Sequence, residues 1–283
     1  MQHGLVYVSC PGCGSDDARP WATENGYSAG KCTSCGLVYV NPRPGDELIN
    51  EANKVGVHKG DEQALVVTTR RKPGKVRYYT PIIGDFFSAD FTAPIRWLDV
   101  GAGYGEVIEA VIAAAPVGSE VLGLEPMAPK VAAARKLGLP VDDRQLDEVG
   151  SDFDVISLIN VYSHIPDFKQ FASTLVEKLK PGGVLFIETG NGGALANRSD
   201  YPDQLFLPDH LVFSSVPQME RILSDVGLVL ERFEERAIDN LLWSAKVTVR
   251  ALLKGKIALH IPRTSPFRTV FYKARKQART QNA

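Results

Sequence analysis

The chain of 283 residues has only four cysteines, three methionines and three tryptophans, and it carries no carboxylate after Asp239. It also lacks any apolar run near the roughly 18 residues needed to cross a bilayer. All four cysteines lie at or before position 35, which excludes a disulfide-dense scaffold spread along the chain. The start, Met1-Gln2-His3-Gly4, has neither the basic residues nor the apolar stretch of a secretory leader, so a cytoplasmic location is expected. With 44% hydrophobic and 23% charged residues the composition is that of an ordinary globular protein and excludes disordered or collagen-like classes. The length favours one large core with a small appended module.

The formal net charge of −1 conceals an asymmetry. Residues 1–239 hold 22 Lys+Arg against 33 Asp+Glu, whereas residues 240–283 hold 10 Lys+Arg and no acid. A basic block of this kind attracts phosphate-bearing partners, acidic lipid or nucleic acid, or docks on the acidic body of its own protein.

The cysteines form two pairs, Cys10-Pro11-Gly12-Cys13-Gly14 and Cys32-Thr33-Ser34-Cys35-Gly36, separated by 18 residues. Each C-x2-C turn aims two thiolates at one point, and the glycine behind it accepts the tight backbone. Two such knuckles supply the four-sulfur tetrahedron that Zn²⁺ prefers. Two disulfides or a redox pair are the alternatives; the missing leader opposes the first, and the doubled motif opposes the second. A closed four-Cys site staples the fold and leaves no open position for catalysis. Tyr39-Val40-Asn41-Pro42-Arg43-Pro44 reads as an extended exit from this ribbon.

Beyond the ribbon, residues 70–87 carry a helical pattern weakened by Pro81, in a segment placed to cover the next domain as a lid. From Ile95 the period changes to a strand over residues 95–100, the turn Gly101-Ala102-Gly103-Tyr104-Gly105, and a helix ending before Pro116. A second strand, residues 120–125, ends on Glu125. Further helix and strand alternation runs to about residue 188. Such alternation implies an α/β, doubly wound, mainly parallel Rossmann-like sheet, with its ligand at the carboxyl ends of the strands. The expected domains are the zinc ribbon over 1–45, a linker and helical lid over 46–92, the nucleotide-type domain over 93–236, and a basic, partly helical extension over 237–283.

Three groups of residues together resemble the class I S-adenosylmethionine-dependent methyltransferases. They are Leu98-Asp99-Val100-Gly101-Ala102-Gly103-Tyr104-Gly105 with the strand-ending Glu125; Phe153-Asp154-Val155-Ile156 continuing to Asn160-Val161-Tyr162-Ser163-His164-Ile165-Pro166-Asp167; and Leu179-Lys180-Pro181-Gly182-Gly183. The resemblance implies that Asp99, Gly101 and Gly103 hold the methionine portion and that Glu125 accepts hydrogen bonds from both ribose hydroxyls. It further implies that Pro126 and Met127 face the adenine, that Gln145 with Leu146 stands where the family usually has an acidic residue for the adenine amino group, and that Asn160 faces the same crevice.

A narrower resemblance joins the ribbon and Pro208-Asp209-His210-Leu211-Val212-Phe213-Ser214 to the zinc-containing small-molecule methyltransferases of sugar and natural-product pathways. In their C-methylating members a Glu-His pair supplies the base; this chain has Asp209-His210, and the large extra C-terminal domain of those enzymes is not expected here. O-methylation of a sugar, sugar nucleotide or natural-product hydroxyl is therefore expected, with C- or N-methylation as alternatives. Its base is His210, supported by Asp209, or else His164. An RNA methyltransferase is the runner-up, opposed by the few basic residues of the ribbon, Arg19 and Lys31 against Asp16, Asp17 and Glu24.

In the tail, Ile238, Leu241, Leu242, Ala245, Val249, Leu252 and Leu253 recur at helical spacing beside Lys246, Arg250 and Lys254. This reads either as a helix packed on the core or, together with Arg263, Arg268, Lys273, Arg275, Lys276 and Arg279, as an attachment site for an anionic inner membrane surface or a phosphate-bearing carrier.

Overall fold

A computed structural model describes residues 4–60, 63–67, 70–201, 204–238, 245, 248–249, 252–253 and 263–277. The chain opens with β1 (Leu5–Val6), the hairpin β2 (Ala18–Glu24) and β3 (Tyr27–Cys32), then β4 (Val38–Val40) and β5 (Arg43–Pro44), which pairs antiparallel with β1. Next come α1 (Asp46–Val55), the small hairpin β6 (Val57–His58) and β7 (Leu65–Val66), and α2 (Gly74–Phe86). The alternating region supplies β8 (Arg96–Val100), α3 (Glu106–Ala114), β9 (Glu120–Leu124), α4 (Ala128–Arg135), β10 (Val141–Asp142), β11 (Phe153–Ile159), α5 (Phe168–Lys178) and β12 (Leu179–Gly190). It is followed by β13 (Val212–Phe213), α6 (Val216–Asp225), β14 (Leu228–Ala237) and β15 (Arg268–Lys276).

The main sheet has the order β10-β9-β8-β11-β12-β15-β14. Its first five strands are parallel, and β15 runs antiparallel to both neighbours. The central strands are apolar on both faces because helices cover both faces. On one face Tyr79, Ile82, Ile83 and Phe86 of α2, with Phe87, pack against Trp97, Val111, Phe186 and Phe271. On the other, Leu98, Ile156, Leu158 and Leu185 meet Phe168, Ala172 and Leu175 of α5 and Met219, Ile222 and Leu223 of α6. Cys10, Cys32, Leu37 and Tyr39 belong to this second cluster, so the ribbon shares the core of the main domain. A four-stranded sheet, β13-β4-β3-β2, extends the ribbon with a strand from beyond residue 210.

One expectation changes. The helix of the 46–92 segment, α2, continues through Pro81 and is a core helix; α1 and the β6–β7 hairpin are the parts that reach the cleft. Part of the basic extension belongs to the main sheet. Its strand β15 lies between β12 and β14, so the sheet is completed only by residues far beyond 236. Lys273 donates to the Phe86 carbonyl at 3.0 Å and pairs with Asp90; Arg275 pairs with Asp90 and Glu231; Lys276 donates to the carbonyls of Val176 and Leu179 at 2.6 Å. These three cations pair with acids or donate to carbonyls of their own domain. Most of the amphipathic helix expected over 238–253 lies outside the described residues, as do Lys246, Arg250, Lys254 and Arg279. Among the described residues no helix is long and apolar enough to cross a membrane.

Candidate active site

At the carboxyl ends of β8, β9 and β11 lies a cavity of about 510 Å³, within the range of ligand sites. The turn from β8 to α3 forms part of its floor. Gly101 sits at φ +80°, and a Cβ there would stand 2.4 Å from Val161 Cγ2, so only glycine lets this backbone approach what the cavity holds. Glu125, buried just past β9, accepts the Gly103 N–H at 2.8 Å through Oε2 and the Met127 N–H at 3.1 Å through Oε1, with the Lys130 ammonium 3.6 Å away. Each carboxylate oxygen keeps a further lone pair for a ligand hydroxyl.

Gly101, Glu125, Pro126, Met127, Gln145, Leu146 and Asn160 line this cavity, whereas Asp99 and Gly103 are not on its lining. Asp99 is buried at the end of β8 and accepts the Ser157 hydroxyl at 2.5 Å. Burial pushes its carboxyl up to about 7, aided by the charge of Glu125 and opposed by the Ser157 hydrogen bond. Gln145 differs from the expected adenine partner in a second way. Its side chain accepts the Glu148 N–H in a capping box, so that acceptor is already engaged. Asn160, at φ +58°, donates to Glu188 Oε2 at 2.8 Å, an oxygen that also accepts the Tyr79 hydroxyl at 2.7 Å. Burial raises the Glu188 carboxyl to about 7 against these hydrogen bonds. The Tyr79–Glu188 pair has no motif to mark it in the sequence.

Across the cavity, three side chains converge. A single turn of 3-10 helix after β11, Tyr162–His164, places His164 Nδ1 2.8 Å from Asp209 Oδ1 and 3.0 Å from the Asp209 carbonyl. His58 Nε2, from β6, lies 3.0 Å from the same Oδ1 but without hydrogen-bond alignment. His58, His164 and Asp209 all line the cavity. Burial opposes the Asp209 charge, but the hydrogen bond and charge of His164, with the charges of His58 and His210, hold its carboxyl down at about 2. Burial pulls the His164 imidazole down and Asp209 outweighs it, so its pKa rises above the ordinary value. Burial lowers that of His58.

His210, expected as the principal base, is not on the cavity lining. Its ring packs 4.9 Å from that of His164 and 6.1 Å from that of Phe213, and burial beside the His164 charge pushes it down to about 4. The neighbouring residue Asp209 lines the wall instead, although polar side-chain atoms of His164, Asp209 and His210 lie within 4.8 Å of one another. His58 falls outside the matching motifs, so the sequence alone gives no reason to count it among the candidate bases.

In the ribbon the four thiols are free and their sulfurs lie within 4.8 Å of one another, with Cys10–Cys35 at 3.5 Å and Cys13–Cys32 at 3.6 Å. A tetrahedron with sulfur about 2.3 Å from zinc has S···S edges of about 3.8 Å, so the donor set fits a four-coordinate metal and excludes disulfides in this arrangement.

Comparisons with known proteins place the chain in a family. The ubiquinone biosynthesis O-methyltransferase of Rhizobium etli is 33% identical over 106 residues, covering 34% of this chain and 42% of the relative. That of Methylobacterium nodulans is 30% identical over 139 residues, covering 44% and 55%. The chain thus spans about half the length of the curated relatives it matches. Among solved structures, geranyl diphosphate C-methyltransferase from Streptomyces coelicolor superposes with a TM-score of 0.53 at 17% identity, over 74% of this chain and 86% of that one. A sarcosine dimethylglycine methyltransferase from Galdieria sulphuraria, itself described as putative, gives 0.52 at 18% identity, over 71% and 88%. These two show the fold alone. The family model described as a methyltransferase domain matches residues 74–232, more than half of the sequence, and the chain belongs to that family.

Proposed function

We propose that the protein transfers a methyl group from S-adenosylmethionine to a hydroxyl of a small molecule, with His164, held by Asp209, as general base. The observation that carries this reading is the His164–Asp209 contact on the wall of the same cavity that bears Gly101 and Glu125. Glu125, with its spare lone pairs, suits the ribose hydroxyls; Pro126 and Met127 offer an apolar face to adenine. Gly101 leaves room for the methionine portion, and Asp99 braces the turn from behind. The sulfonium supplies an already activated methyl, so the protein's task is alignment and removal of the acceptor proton. Asp209 fixes the imidazole with Nδ1 as donor, leaving Nε2 as the proton acceptor. The names of the matching relatives support O-methylation, and a sugar, sugar nucleotide or natural-product intermediate remains the acceptor class that we infer. Zn²⁺ on Cys10, Cys13, Cys32 and Cys35 would staple the ribbon and take no part in the transfer.

Isothermal calorimetry with S-adenosylmethionine, followed by an S-adenosylhomocysteine release assay over a panel of hydroxyl acceptors, tests this. Binding in the wild type, weakened by about 1.5–3 kcal/mol in Glu125→Ala, is the expected result. Absence of binding heat, or full turnover in His164→Gln, overturns the corresponding half of the reading.

A further inference from the structure

The turn between β2 and β3 lies in the ribbon, yet its side chains bind two segments that the reaction needs. Glu24 Oε2 accepts the Leu205 N–H at 2.9 Å, and Oε1 accepts the Phe206 N–H at 2.7 Å with a longer 3.4 Å contact from Leu207 N–H. Phe206 stands at φ +62°, unfavourable for an aromatic residue, and its carbonyl accepts the Asp209 N–H at 2.8 Å. The carboxylate of Glu24 therefore holds the bend that presents Asp209. Asn25 is 1% exposed and spans both sides. Its Nδ2 donates to the carbonyls of Gln63 at 2.9 Å and Leu207 at 3.1 Å, and its Oδ1 accepts the Gln63 N–H at 2.8 Å. Tyr27 adds a hydroxyl bond to the Lys59 carbonyl, next to His58, at 3.2 Å. On the far side, the Leu211 carbonyl accepts the Val40 N–H at 2.9 Å while the Leu211 N–H donates to Ser163, beside His164, at 2.7 Å.

We propose that Glu24 and Asn25 are positioning residues for the acid–base array, setting the distance between the His58 segment and the Asp209 segment so that Asp209 meets His164. This rests on the reading of His164 as base. The ribbon is then the template for this side of the cavity. Asn25 joins residues 63 and 207, which are remote in sequence, and each lies only a few positions from a member of the array. Buried polar groups gain more from such fixed bonds than exposed ones do, because leaving either partner unpaired is costly.

The test reads the array directly in the full-length protein by heteronuclear NMR titration of the imidazoles, with assignments from His58→Gln and His164→Gln. The groups facing His164 are Asp209, His58, His210 and, from α4, Lys130. Asn25→Gly keeps the turn, since φ is +52° there, and deletes the three side-chain bonds. The titration midpoint of His164 is expected to fall by about one pH unit, the lower end of the effect of a displaced neighbouring charge. Affinity for S-adenosylmethionine in calorimetry and the unfolding temperature of Thr23→Ala, an exposed neighbour, serve as controls and stay at wild-type values. Glu24→Gln keeps one acceptor oxygen and gives a smaller shift in the same direction; it carries the test alone if Asn25→Gly does not fold. An unchanged His164 midpoint in a folded variant overturns the proposal. Full turnover in His164→Gln, with the midpoint shift still present, would instead remove the base reading and leave the positioning role standing.

Discussion

Replacing Asp209 by Asn removes the charge that two imidazoles face and nothing else of comparable size. The carboxylate lies 2.8 Å from His164 Nδ1 and 3.0 Å from His58 Nε2, with only 15% of its side chain exposed. An opposite charge at such range raises an imidazole pKa by about 1–3 units, and each unit corresponds to about 1.4 kcal/mol. A base must be neutral to accept a proton, so the wild-type rate should climb with pH through a midpoint above the ordinary 6.5 of histidine. In Asp209→Asn that midpoint moves down by about 1–3 units. The plateau rate falls as well, within the about 10²–10⁴-fold that a positioned base supplies, because the neutral imidazole is weaker and less well oriented. The stability consequence has two edges. Asp209 is depressed to about 2 from 3.8, so its contribution is present above 3.8 and lost as the pH falls through about 2. His164 is raised above 6.5, so its contribution is present below 6.5 and lost as the pH rises through its folded value. The difference in unfolding temperature between wild type and Asp209→Asn should thus be widest in mildly acidic solution and shrink on either side. A pH–rate midpoint identical in the two proteins, together with a pH-independent stability difference, would refute the reasoning.

Other consequences can be measured separately. Elemental analysis of protein purified without chelator should give one zinc per chain, and Cys32→Ser should lose it along with thermal stability; metal-free wild type counts against the site. A chain ending at Arg236 loses β15, whose Val270, Phe271, Tyr272 and Ala274 are fully buried. At about 1.5–3 kcal/mol for each large side chain, this consumes much of the about 5–15 kcal/mol that holds a domain together, so the truncated protein should be insoluble or melt without cooperativity. A soluble truncated chain with a sharp calorimetric transition contradicts the sheet order. Gly101→Ala, at φ +80° with Val161 in the way, should weaken S-adenosylmethionine binding by about 1–3 kcal/mol; wild-type affinity in calorimetry would mean that this turn does not touch the ligand.

What could be read from the sequence is what depends on neighbours in the chain. The two C-x2-C knuckles, the Gly101-Ala102-Gly103 turn and Glu125 at the end of its strand declare themselves because a tight turn needs glycine locally and because a buried parallel strand is a short apolar run. The elements from β8 to α6 follow that local logic to within a few residues. In the tail, Lys273, Arg275 and Lys276 read along the chain only as a basic stretch; the fold brings Asp90, Glu231 and the carbonyls of α5 and β12 to them. The run Thr269-Val270-Phe271-Tyr272 was the trace of a buried strand, but nothing local says that it enters between β12 and β14. The choice among histidines was equally non-local. His210 shares a motif with Asp209, yet it is Asp209 that lines the cavity, and His58 arrives from a segment without any motif. Only the tertiary structure decides such matters, since hydrogen bonds and charges act over a few ångströms of space, however many residues of chain lie between the groups that meet.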